Sequence, residues 1–247
     1  MTVVEEKLLL ARLADLERQA ERGNKPCFSR FLDPGEIRIF TEKMRPFLPT
    51  LLWGGYEDAE RKMVGFFPDF MNPDIAGFPL CALRFSAAEP LGHRTVLGSV
   101  MGLGLERNLI GDVATEATGP LLFTCEAARE YLCMNLTRAG KIPVKVTEAP
   151  IATISVLPRE WLPISGTVAS LRLDCVLGLL MGVSRAGAED LLKHEMVSVN
   201  FSVCTKGSSL LSAGDVLSVR KFGRAELLEI CGETKKGRIR IILKKYI

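Results

Sequence analysis

Within the last third of the chain the hydrophobic period changes from helical to alternating, and that change limits what the segment can become. Leu173 to Gly182 and Ala186 to His194 carry apolar residues at helical spacing on either side of Val183-Ser184-Arg185. From Val197 the apolar positions alternate through Val199 and Phe201. They alternate again in Val216-Leu217-Ser218-Val219-Arg220, after a Gly214-Asp215 turn. A period near 3.6 lines one stripe of a helix and a period of two lines one face of a strand, so the spacing predicts two short helices followed by a twisted hairpin sheet. Ser184 suits the N-cap of the second helix, because its hydroxyl can accept a backbone N–H from the first turn; Arg185 is then displayed at the helix start.

Charge is segregated in the same way. From Leu171 onward there are 13 Lys and Arg against 8 carboxylates, a balance of +5, which leaves the first 170 residues at −2 within a total of +3. A basic module beside a mildly acidic remainder is the footprint of docking on a polyanion, where phosphate neutralisation dominates. An ordinary solvated surface gives similar counts, so the residues themselves must decide.

They resemble the S4-type RNA-binding domain. The resemblance rests on Arg172-Leu173-Asp174, Ser184-Arg185 with Ala188, Leu191 and Leu192, Val197 to Asn200, and Gly214 to Arg220, about 50 residues in all. It implies an αL-type module whose two short helices grip phosphate through arginines. Arg172 and Arg185 come first, with Ser184, Lys193, Asn200, Arg220, Lys221 and Arg224 behind them. Arginine suits the task because its planar fork pairs bidentately with phosphate oxygens and stays protonated. Lys244 and Lys245, near the end of the sequence, are expected to lie off this face. Relatives usually carry glycine and then a basic residue before the Val-x-Val step, where Glu195 and Met196 stand here. If the left-handed turn persists, Glu195 bears a positive φ at a cost of about 1 kcal/mol.

Upstream, Glu5 to Arg22 reads as an amphipathic helix with Leu8, Leu9, Ala11, Leu13 and Leu16 apolar. A second helix runs through Phe40 and Met44, with Asp33 able to cap and Pro34 at the first helical position. The pair Gly54-Gly55 suggests a tight turn before a solvated helix over the charged run Glu57 to Lys62. Strand signals at Met63 to Phe67 and Leu80 to Phe85 precede a helix from about Arg94. Apolar alternation follows over Gly111 to Phe123 with a tip at Gly119-Pro120, then a helix from Glu126 and a strand at Ile142 to Val146. After one extra strand this is the β-α-β-β-α-β order of a ferredoxin-like, RRM-like sheet. Pro150, Pro158, Pro163 and Gly166 punctuate an expected linker. The expected fold is therefore α+β, with a helical region at 1–62, a ferredoxin-like domain at 63–150, a linker at 151–170 and the S4-type module at 171–247.

Read together, the upstream motifs resemble YlmH-type S4-domain proteins of bacteria over nearly the whole chain. They are Phe31-Leu32-Asp33-Pro34, Gly54-Gly55-Tyr56 with Ala59-Glu60-Arg61-Lys62, Leu91-Gly92-His93-Arg94, Leu97 to Gly104, and Arg107 with Gly111-Asp112-Val113. That resemblance implies a non-catalytic RNA-binding protein of the translation apparatus. It would bind rRNA and tRNA on the large ribosomal subunit during rescue of obstructed nascent chains, cytoplasmic and monomeric when off the ribosome. It also nominates Arg61, Lys62, His93, Arg94 and Arg107 as middle-domain contacts. The chain departs from many relatives at Gly35, Ala88-Glu89 and Thr95, where a basic residue, a Lys-Phe step and an aspartate are usual.

Other chemistries have weaker support. Seven cysteines without a Cys-x-x-Cys pair, and two histidines, favour neither a zinc site nor a disulfide framework, and no cofactor is expected. The opening Met1-Thr-Val-Val-Glu-Glu-Lys lacks the basic and apolar regions of an export signal. The longest apolar stretch, near Val176 to Val183, is far short of the roughly 20 residues a membrane helix needs. No Gly-x-x-x-x-Gly-Lys run or third dinucleotide-motif glycine is present, and Gly182 to Gly187 misses the nucleophile-elbow spacing by one residue. The step Arg172-Leu173-Asp174 also occurs in pseudouridine synthases, but lies here inside the helical module; the His-x-Gly-His step of tyrosyl-tRNA synthetases is missing. One enzymatic alternative remains, an RNA-modifying or hydrolytic enzyme using His93 as base with Asp112 or Glu106 beside it. A third reading is a protein-interaction adaptor using the N-terminal helix.

Overall fold

The structure is a computed structural model that describes residues 3–246; Met1 and Thr2, read above as part of an export-signal test, and Ile247 lie outside it. Helices and antiparallel sheets divide between two compact units, Met1–Pro158 and Arg159–Ile247.

The first unit begins with α1 (Val3–Gly23), β1 (Cys27–Phe28), α2 (Pro34–Lys43), β2 (Thr50–Trp53) and β3 (Met63–Phe66). Helix α1 buries Leu9, Leu13 and Ala20 but leaves Leu8 exposed. It also buries Glu17, whose Oε1 accepts the backbone N–H groups of Phe47 at 2.6 Å and Leu48 at 2.9 Å. A carboxylate out of water is stable there because two donors point at it. Helix α2 starts as its sequence demands. The Asp33 carboxylate accepts from Glu36 N at 2.9 Å, the Glu36 carboxylate accepts from Asp33 N at 2.7 Å, and Pro34 supplies a pre-set φ. The expected helical region also supplies β1 and β2, which flank the expected extra strand in a three-stranded sheet of order β1-β3-β2. Glu57 to Lys62 forms turns and not a helix.

There follow β4 (Leu80–Ser86), α3 (His93–Met101), β5 (Ile110–Glu116), β6 (Gly119–Cys125), α4 (Glu126–Asn135), a two-residue ribbon of β7 (Arg138–Ala139) and β8 (Ile142–Pro143), and β9 (Lys145–Ala149). The four long strands pair antiparallel in the order β5-β6-β4-β9. Alternate residues enter different cores. Leu83, Phe85, Val113 and Leu122 pack with Val96 and Val100 of α3 and Ala128 and Leu132 of α4. Ala82, Ala114, Leu121 and Phe123 pack with Phe31, Met63, Phe67 and Phe78. Beyond β3, Val64 and Phe66 join Leu9, Leu13 and Phe40. The layers thus run α1 and α2, small sheet, large sheet, α3 and α4.

The second unit opens with β10 (Trp161–Val168), then α5 (Leu173–Met181), α6 (Arg185–Lys193), β11 (Val197–Val199), β12 (Ser202–Val203), β13 (Val216–Val219), β14 (Gly223–Glu233) and β15 (Ile239–Tyr246). Its sheet has the order β10-β15-β14-β13-β11-β12 and carries one core, with Leu173, Val176 and Leu177 of α5 and Ala188 and Leu192 of α6 against Val197, Leu217, Leu227 and Leu243. The expected linker at 151–170 is therefore corrected. Eight of its residues form β10, paired along their whole length with β15. Pro163 signals a break, yet β10 is the sheet's edge, where an absent N–H leaves no ladder partner unsatisfied.

Candidate nucleic-acid interface

Asp174 organises the cationic end of the second unit. It sits in the first turn of α5 and is 1% exposed. Its Oδ1 accepts from Arg172 Nε at 3.0 Å and from the Cys175 N–H at 2.9 Å; its Oδ2 accepts from Arg172 Nη2 at 2.7 Å and lies 3.2 Å from Arg185 Nε. The bidentate Arg172 bond, with the Cys175 amide and Arg185 behind it, holds this carboxyl down at about 2 despite burial. Arg172 occupies the N-cap of α5 and Arg185 the first position of α6. Two residues 13 apart in sequence are thereby fixed side by side, and each keeps guanidinium N–H groups beyond those turned to Asp174. Opposite them Gly207 comes so close that a Cβ there would lie 3.2 Å from Asp174 Cβ, while its carbonyl accepts the Asp174 N–H.

The other residues nominated in this unit have different fates. Ser184 caps α6, its hydroxyl accepting from Gly187 N at 3.2 Å. Asn200 holds a turn: at φ 48° its amide donates to Asp215 Oδ1 at 2.7 Å while its Oδ1 accepts from Val216 N at 2.9 Å. Lys193 is exposed at the end of α6, 4.0 Å from Asp190. Arg220 and Lys221 are exposed in the β13–β14 turn, and Arg224 lies over the Phe201 ring at 5.1 Å. That turn belongs to the sheet end where Trp161 faces Tyr246, whereas Val168 faces Ile239 at the other end, about 23 Å away at 3.3 Å per residue. The nominated cations therefore form separate groups. Lys245 stands with the second group, its ammonium 4.0 Å from the centroid of Phe222 in the turn that holds Arg220 and Lys221, at the end of the sheet away from the Arg172–Arg185 pair. Glu195 does adopt φ 54°, closing α6 with its N–H on the Leu192 carbonyl and that of Met196 on Leu191.

Sequence reasoning missed Arg238. It donates from Nε to Thr167 Oγ1 at 3.0 Å and from Nη2 to the Thr167 carbonyl at 2.7 Å. It shares with Arg185 a cleft of about 320 Å³ between β10 and α5. No motif points to it, because its partner Thr167 lies in the stretch read as linker.

In the first unit, the four-stranded sheet offers no free face on which bases could stack, since both faces are buried. The YlmH-type motifs gather instead into a structural knot. Asp112 is buried, its Oδ2 accepting from Tyr56 Oη at 3.0 Å and Glu60 N at 2.6 Å. Arg61 donates to the carbonyls of Ile110 at 3.0 Å and Phe31 at 3.2 Å, and Arg107 to those of Ile110 at 2.6 Å and Gly111 at 3.2 Å. Burial lowers both guanidinium pKa values. Arg107 falls to about 10, with the charge of Arg61 adding to the effect. Arg61 and Arg107 thus clamp the chain's own backbone. Lys62 is half-buried and bridges to Leu32. Gly55, at φ +101°, passes so close to the Phe123 ring that a Cβ would fall 2.2 Å from it.

His93 and Arg94 are exposed in the first turn of α3, an end where the helix dipole disfavours a cation. The β7–β8 ribbon sits against the same helix, with Gly140 N donating to Ser99 Oγ at 2.8 Å, so the exposed Arg138 and Lys141 stand on that side. The suggested partners of His93 are committed elsewhere, Asp112 as above and Glu106 to Arg30 at 2.9 Å. Among the described residues, no helix is long and apolar enough to cross a membrane and no group of three or more His, Cys, Asp or Glu could hold a metal ion.

Known proteins resemble this chain in sequence and in fold. A family model described as "Putative RNA-binding domain in YlmH" matches residues 82–153. Over 245 residues the chain is 30% identical to "Ribosome-associated protein quality control protein P2" of Bacillus subtilis, an alignment covering 98% of this chain and 95% of that protein. Among solved structures, "Cell division protein ylmH from Streptococcus pneumoniae" matches with a TM-score of 0.52 at 18% identity, over 62% of this chain and 95% of that one, a likeness of fold.

Proposed function

This chain belongs to the YlmH family, and from that premise we propose that it is a non-catalytic RNA-binding protein of the ribosome. In this reading the second unit is an S4-type module and the β4–β9 sheet a ferredoxin-like domain. The partners are rRNA and tRNA on the large subunit, and the task is rescue of obstructed nascent chains by a cytoplasmic protein that is monomeric off the ribosome. The observation that carries it is the arginine pair on Asp174. A buried carboxylate sets two guanidinium groups at adjoining helix starts, which positions hydrogen-bond donors for phosphate before any ligand arrives. The relative's name supplies the setting, and the basic second unit supplies the electrostatics.

Sedimentation tests it. Tagged chain in a cell lysate should travel with large subunits, with tRNA recovered from the same fractions, and the Arg172→Ala, Arg185→Ala double variant should shift to the top of the gradient. Wild-type chain at the top of the gradient, or a double variant that sediments unchanged, would overturn the proposal.

A further inference from the structure

We propose that the cleft between β10 and α5 receives one unpaired nucleotide of RNA; this rests on the RNA-binding reading and adds to it a preference for structure. The cleft measures about 320 Å³ and is a shallow recess open to solvent, with room for a single flat group and not for an enclosed ligand. Val168, Ala169, Gly178 and Leu179 line it together with Thr167, Cys175 and the carboxylate-bearing Asp174, and most of its wall is carbon. Arg185 and Arg238 also line it and are exposed, which puts two guanidinium groups at the mouth. Nε of Arg185 faces Asp174 at 3.2 Å and Glu189 at 3.6 Å, and Arg238 uses Nε and Nη2 on Thr167. Both Nη groups of Arg185 and Nη1 of Arg238 remain to donate outward.

A phosphate on the helix starts needs only a convex cationic surface. A carbon-walled recess between two cations fits a flat apolar body joined to an anion, which describes a base and its own phosphate. Bases inside a duplex cannot enter; a bulged or looped nucleotide can, because its unstacking is already done. Cys175 lines the same cleft and is half-buried, which gives a chemical reporter.

The test uses the full chain and two fluorescent RNA hairpins, identical except that one carries a single unpaired adenosine in its stem. By anisotropy the wild type should bind the bulged hairpin about tenfold more tightly. Ala169→Phe changes an exposed residue and fills the cleft without altering charge, so it should bind both hairpins with the affinity of the wild type for the paired one. Arg238→Gln should weaken the bulged hairpin more than the paired one. In peptide mapping after N-ethylmaleimide treatment, the bulged hairpin should slow alkylation of Cys175 and the paired hairpin should not. Equal wild-type affinities, a preference that survives Ala169→Phe, or Cys175 labelling indifferent to the bulge would each overturn the inference while leaving RNA binding intact. No binding of either hairpin would overturn the RNA-binding reading as well, and capture of an acidic peptide by the cleft in their place would assign it to a protein partner.

Discussion

Replacing Asp174 by Asn should destabilise the second unit by about 2 kcal/mol at neutral pH, and the deficit should vanish in acid. The carboxyl falls from an ordinary 3.8 to about 2 on folding, and each unit of such a shift corresponds to about 1.4 kcal/mol, which gives about 2 kcal/mol. The folded pKa is depressed, so this stabilisation is fully present above about pH 4 and is lost as pH falls toward 2. Breaking a fully buried ion pair typically costs about 3–5 kcal/mol, but Arg172 and Arg185 keep much of their hydration, with 35% and 66% of their side chains exposed, so the lower figure applies. In a domain of this size the melting midpoint should drop by about 10 °C. The two tryptophans of the chain fall one in each unit, so in a Trp53→Phe background Trp161 fluorescence follows the second unit alone. Thermal melts of that background with and without Asp174→Asn, at pH 7 and pH 2.5, give the deficit at each pH. A deficit below about 0.5 kcal/mol at pH 7, or one of equal size at both pH values, would refute the account. Affinity for RNA should fall as well although net charge rises, because the arginines lose the group that aims them.

Arg172→Ala and Arg185→Ala should each lower the logarithmic salt slope of RNA binding by roughly 0.7 to 0.9; since both lean on Asp174, the double variant should lose less affinity than the two singles combined, which titration at several salt concentrations will show. Glu195→Gly removes a left-handed non-glycine residue and should raise the stability of the second unit by about 1 kcal/mol in chemical denaturation; an unchanged midpoint would mean the turn stores no strain. Gly55→Ala should cost the first unit about 3 kcal/mol or more, through both the positive φ and the clash with Phe123, and a melt within 2 °C of wild type would contradict the packing described.

Much of this was legible before any coordinates. Asp33-Pro34 and Ser184 announce helix starts because capping is local chemistry, and the β-α-β-β-α-β order follows from hydrophobic period. What escaped depends on partners distant in sequence. Strand β10 escaped because proline and glycine punctuate it, and only its place at the edge of a sheet makes them harmless. The burial of both sheet faces did leave a trace: Leu80 to Leu83 and Leu121 to Phe123 are unbroken apolar runs, the mark of strands covered on two sides, and they argue against an open base-stacking surface. Arg61 and Arg107 look like phosphate ligands in a motif, and only the carbonyls that converge on them reveal clamps. Arg172 and Arg185 were nominated from the pattern, but the buried carboxylate between them was not given a role.

The position of β15 between β10 and β14 has a consequence for how the chain is made. Strand β10 is complete at Val168, yet the neighbour that pairs with it does not begin until Ile239. At about 5–20 residues per second, β10 waits roughly 4–14 seconds on the translating ribosome with its ladder unmade, while the first unit, finished at Pro158, can already fold. A nascent chain halted anywhere in that interval carries one folded unit and one that lacks Ile241 and Leu243 from its core and has no strand to bridge β10 to the rest. The sheet of the second unit therefore closes only once β15 has been made, so that truncated copies would carry β10 unpaired and open to proteolysis.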